Sequence, residues 1–163
     1  MARLSKNNRK YMSKPDMIKS LVKIYELYSR SEVPLANVHI LLDHFLWGWT
    51  EFEGKYKGCK WWSENAYNQF INSKKETAGL IHEHVVPRNV IRVKFLEMLD
   101  NGCNEEELYR FLYQYLFACI ITKEEDHLLR NSGFKNQLGQ ELHKETIWYR
   151  YEQAKIKVKQ ISW

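Results

Sequence analysis

The sequence predicts a mainly α-helical α+β fold, and three observations predict it. Apolar residues recur at three- and four-residue steps through much of the chain, two short β-branched runs interrupt that period, and 44% of the 163 residues are hydrophobic, with 14% aromatic. That apolar content is ample for a core in a chain of one-domain length. Residues 1–163 are therefore expected to form a single domain, with 1–14 as a flexible basic N-terminal arm.

The helical period begins after Pro15, where Met17, Ile18, Leu21, Val22, Tyr25 and Tyr28 share a face; proline suits a first helical turn. A second amphipathic helix follows Pro34, through Leu35, Val38, Leu42, Phe45 and Leu46, and its pattern stops at Gly48. Residues 47–62 mix glycines, lysines and aromatics without a period and read as a long loop or irregular hairpin. Trp61 and Trp62 there either anchor that loop on the core or stack nucleobases beside Lys55, Lys57 and Lys60. Ser63 is an N-cap for a helix to about Ser73.

Leu80–Val86 is β-branched, opens at Gly79 and stops at Pro87, which marks a strand. A helix through Val90, Ile91, Phe95, Met98 and Leu99 closes at Asn101-Gly102, and Asn104 caps another carrying Leu108, Phe111 and Leu112. Phe117–Ile121 is the second strand, and Thr122 starts a helix with Glu124 and Glu125 at its N-terminus, where acids are favoured. Beyond Gly133 the lysine-alternating tail Lys155–Lys159 is either a strand or a helix end.

Charge and cysteine usage bound the function. The formal net charge is +5, and the excess sits in residues 1–30, which carry Arg3, Lys6, Arg9, Lys10 and further lysines against Asp16 and Glu26. Such an arm, Arg9-Lys10-Tyr11 included, either follows a phosphate backbone or is a solvated tail. Cys59, Cys103 and Cys119 are odd in number and form no C-x-x-C pair, so reduced thiols are expected. No apolar run approaches the roughly 20 residues of a membrane span, and the N-terminus lacks an apolar leader. A cytoplasmic protein without a membrane partner is expected; its oligomeric state is open and compatible with a dimer.

Chemistry concentrates at His82-Glu83-His84-Val85-Val86-Pro87, where three ionisable groups stand in a row inside an apolar run. A metal site or a general base calls for that set. Strand alternation sends His82 and His84 to one face and Glu83 to the other, with the break at Pro87 able to turn Glu83 toward a common cleft. A further ligand is expected from the helix beginning near Thr122, where Glu124 and His127 lie three apart. The bland alternative is a polar edge strand and an ordinary capped helix.

Glu83-His84-Val85-Val86-Pro87 resembles the first signature of the HNH nucleases, and Ile120-Ile121-Thr122-Lys123-Glu124-Glu125-Asp126-His127 is similar to the second strand and helix start of their ββα-metal motif. The resemblance implies a small two-stranded ββα element, interrupted here by a helical hairpin. It implies Glu83 and His127 as metal ligands, His82 as an accessory ligand and His84 as the catalytic general base. One divalent ion (Mg, Mn, Ni or Zn) and hydrolysis of phosphodiester bonds, of DNA before RNA, follow from it. Lys123, Arg88 and Arg92 would steer or clamp phosphates. A departure is that the residues between the strands are helical in pattern and the asparagine that orients the family's histidine is unidentified. Two alternatives stay open: a zinc hydrolase using His82, His84 and His127, and a non-catalytic nucleic-acid- or protein-binding module of phage or mobile-element type.

Overall fold

In the computed structural model, residues 13–162 are described; Arg9, Lys10 and the rest of the N-terminal arm through residue 12 lie outside them. The described residues form a mainly helical α+β fold, in which seven α-helices surround a four-stranded sheet. The order is α1 (Lys14–Ser29), α2 (Leu35–Thr50), β1 (Trp61–Ser63), α3 (Glu64–Asn72), β2 (Leu80–His84), α4 (Arg88–Asp100), α5 (Glu105–Tyr115), β3 (Ala118–Thr122), α6 (Lys123–Asn131), α7 (Tyr149–Gln153) and β4 (Val158–Gln160). No helix among the described residues is long and apolar enough to cross a membrane.

Helix starts follow the capping residues. Ser63 Oγ accepts the Ala66 N–H at 3.0 Å. Asn104 and Thr122 each complete a capping box, with Glu107 and Glu125 returning to the cap backbone. Such boxes satisfy amides that the first helical turn leaves without intrahelical partners. The arm's last expected residue, Lys14, is instead the first residue of α1.

The sheet order is β2-β3-β1-β4. β2 and β3 run antiparallel with Leu80 opposite Thr122 and His84 opposite Ala118, β1 is parallel to β3, and β4 is antiparallel to β1. Two strands are expected, with the tail open as a third, and the described residues hold four. Trp61–Ser63 is not loop but a strand, because Cys119 and Gln160 both stand opposite Trp61, and the tail resolves to a strand through the same pairing. Helix α2 also runs past Gly48 to Thr50, with Gly48 and Trp49 buried: packing overrides the local penalty of glycine. The turn before β1 needs Gly58, since a Cβ there would lie 2.3 Å from the Glu53 backbone.

Alternation along the sheet divides the core in two. Cys119 and Ile121 join the main cluster with Leu42, Leu46, Ile91, Phe95, Leu108 and Leu112. Leu80, Ala118, Ile120 and Trp62 join a second cluster with Ala66 and Phe70 of α3. Trp62 is fully buried and donates Nε1–H to the Cys59 carbonyl, while Trp61 packs edge-on against Trp148, so both tryptophans anchor the core. The helical hairpin α4–α5 leaves β2 and returns as β3, after which α6 packs over both strands. The β2–β3–α6 unit therefore has the ββα order, with the hairpin inserted between its strands.

Candidate functional site

The end of β2, the start of α4, the middle of α6 and the segment after it enclose a cleft of about 280 Å³. Its walls include Asp43, Trp47, Glu83, His84, Arg88, Arg92, Asp126, Arg130 and Lys135. The strand ends at His84, short of the expected Val86, and Pro87 is the N-cap of α4, which sets Arg88 and Arg92 one turn apart beside the histidine. The Arg88 guanidinium lies 5.0 Å from the Trp47 ring centroid, a cation–π arrangement that holds it over the cleft wall.

The charges pair in a definite way. Arg92 meets Asp43 at 3.1 Å, Arg130 meets Asp126 at 2.8 Å, and Arg150 meets Glu83. Each carboxylate of the cleft thus has its own guanidinium. Arg88 and Lys135 have no carboxylate partner among the described residues, which leaves the cleft with a positive excess.

Strand alternation holds as expected: His82 and His84 are buried on one face, and Glu83 turns to the other. The His84 Nε2 stands 3.2 Å from Thr50 Oγ1, and its ring packs 5.1 Å from that of Trp47. Burial, and then the neighbouring His82 and Arg88, hold the His84 imidazole down to about 3, so it is neutral at neutral pH. Burial does the same to His82, down to about 4. Neither ring nitrogen of His82 makes a hydrogen bond of normal geometry, which makes it a costly group to keep in a core.

Glu83 is the most constrained of the three. Arg150, with no exposed surface, donates Nη2 to the Glu83 carboxylate and, at 3.0 Å, to the His84 carbonyl. Its Nη1 donates to the Phe134 carbonyl at 2.8 Å. Burial pushes the Glu83 carboxyl up, Arg150 pulls it down, and Asp126 adds a smaller upward push.

The expected metal set does not converge. His127 is exposed on α6, whereas Asp126 on the same helix is buried and lines the cleft. His82 lies behind Trp47 rather than on the cleft wall, and a guanidinium already stands against Glu83. Among the described residues, no group of three or more His, Cys, Asp or Glu side chains is placed to hold one ion. Glu83, His82 and His127 as placed therefore do not fit a divalent metal. Of the expected phosphate contacts, Arg88 and Arg92 line the cleft and Lys123 is exposed at the start of α6, away from it.

The residues that complete the cleft were named in the sequence without a role or not at all. Asp126 and Leu129 sit at i and i+3 on the buried stripe of α6, with the exposed Arg130 at i+4 on its edge, and the burial of Leu129 marks that stripe as the one facing the strands. That spacing could have selected Asp126 over His127. Arg150 had no such signal, because its partners lie far away in the chain. No family model matches this chain, and no curated protein or solved structure is significantly similar to it.

Proposed function

We propose that the cleft binds the phosphodiester backbone of nucleic acid, DNA before RNA, and that the protein hydrolyses it as a nuclease of ββα, HNH-like type. The observation that carries this reading is the β2–β3–α6 order, which brings neutral His84, Asp126 and the carboxylate-free cations Arg88 and Lys135 to one cleft. Arginine and lysine side chains there suit an anionic backbone, and a buried neutral imidazole accepts a proton.

In this reading a phosphate settles between Arg88 and Lys135, and water attacks phosphorus. The water proton passes to the His84 imidazole as the new P–O bond forms; the leaving oxygen departs with the electrons of the broken P–O bond and takes a proton from solvent. The guanidinium of Arg88 meets the charge that grows on the phosphorane oxygens. An imidazole held near 3 is a weak base in the empty cleft, and a phosphate anion beside it raises its proton affinity.

A second reading, binding without cleavage at the same cleft, is favoured by the Glu83–Arg150 contact, which gives the signature glutamate a structural role. One experiment separates them. Labelled single- and double-stranded DNA and RNA are incubated with the wild type and with His84→Ala, each with and without added divalent ion. The nuclease reading expects fragments from the wild type and at least about a hundredfold fewer from the variant, assayed at a temperature where circular dichroism shows both folded. Intact nucleic acid retained by both proteins supports the binding reading, and equal cutting by both removes His84 from the chemistry.

A further inference from the structure

We propose that Arg150 is the resident cation of this cleft, its guanidinium standing where a divalent ion would be held, so that the site engages phosphodiesters without a metal at Glu83. The proposal rests on the cleft being the functional site, and it goes beyond that reading by naming what neutralises its acid.

The geometry carries it. Three oxygens meet the one buried guanidinium: the Glu83 carboxylate and the His84 carbonyl at Nη2, and the Phe134 carbonyl at Nη1. A carboxylate with backbone carbonyls is the kind of donor set that hard cations take. Here the two Nη groups of Arg150 use all three, and the side chain has no exposed surface. Removing it from the oxygens would strand a buried cation, and the carboxylate would lose its partner.

A second carboxylate of the cleft, Asp126, follows the same pattern. Asp126 is 7% exposed and holds Arg130 at 2.8 Å, so Glu83 and Asp126 each already carry a guanidinium partner. The same contact has a positioning effect. Arg150 ties the Phe134 carbonyl to the end of β2, and the next residue, Lys135, is one of the two carboxylate-free cations of the cleft. Arg150 is thus a positioning residue that holds the strand end and the lysine-bearing segment in register.

The test is manganese binding, read as the loss of the free-ion electron paramagnetic resonance signal, with no nucleic acid present. The wild type is expected to take up no stoichiometric Mn2+ at millimolar concentration, and Arg150→Met is expected to gain one site that the additional change Glu83→Gln removes. One equivalent bound by the wild type and abolished by Glu83→Gln overturns the proposal, as does a folded Arg150→Met that gains no site. Should Arg150→Met fail to fold, the wild-type and Glu83→Gln titrations decide alone. Oligonucleotide binding by the wild type is measured alongside, in chelator and in Mn2+. Binding that appears only with Mn2+ also overturns the proposal, whereas no binding in either removes the nucleic-acid reading and leaves the ion result standing.

Discussion

His82 and His84 are neutral imidazoles inside the protein, and their energetic consequence is a pH dependence of fixed sign. Burial holds them to about 4 and about 3 against an ordinary value of 6.5. Between those values the unfolded chain binds protons that the native chain refuses. Stability is therefore full above pH 6.5 and falls as the pH drops toward the native values, by up to about 1.4 kcal/mol per pH unit for each imidazole. Urea unfolding followed from pH 7 down to pH 4.5 is expected to show this fall. His82→Leu removes a group whose nitrogens lack partners, so it is expected to hold stability at pH 7 within about 1 kcal/mol and to make the acid loss shallower. An unchanged slope would show that His82 is not buried in the neutral form. Arg150 behaves oppositely: Arg150→Met is expected to cost about 3–5 kcal/mol in the same assay, because Glu83 then lacks its counter-charge.

At the scale of elements, the cleft depends on where α6 begins. Thr122 Oγ1 accepts the Glu125 amide at 3.2 Å, and the Glu125 carboxylate returns to the Thr122 amide at 2.9 Å while also taking Ser63 Oγ and Asn65 Nδ2. Thr122→Ala is expected to cost about 1 kcal/mol, a drop of roughly 2–4 °C in melting temperature. No change in the melt would mean that Ser63 and Asn65 hold Glu125 without the box. The caps at Ser63, Asn104 and Thr122 were legible in the sequence because each is a short polar residue just before a helical pattern, with an acid three residues on at Asn104 and Thr122. The strand β1 was not, and β4 only as one of two alternatives for the lysine-alternating tail, because three residues carry little period and their hydrogen bonds come from partners remote in sequence. The candidate site divides along the same line. Glu83, His84, Arg88 and Arg92 stand close together around Pro87 and were readable. Asp126 needed the choice of stripe on α6, and Arg150 reaches Glu83 only through the tertiary fold.

For the whole molecule, a net charge of +5 favours polyanions at long range, and in the proposed reading the cleft is where one is held. Electrostatic binding of this kind weakens with salt, log K falling by about 0.9 per phosphate neutralised for each tenfold rise in salt on duplex DNA. The basic N-terminal arm, with Arg9 and Lys10, lies outside the described residues, and in the nucleic-acid reading its cations are a second candidate contact for the same ligand. Separating the two is a matter of changing the cleft alone. Fluorescence anisotropy of a labelled oligonucleotide, titrated in chelator at several salt concentrations, does so with the wild type and the double variant Arg88→Ala/Lys135→Ala. The cleft account predicts affinity at least about tenfold weaker for the variant and a salt slope shallower by about two. Equal affinity and equal slope, with the variant folded, would contradict it.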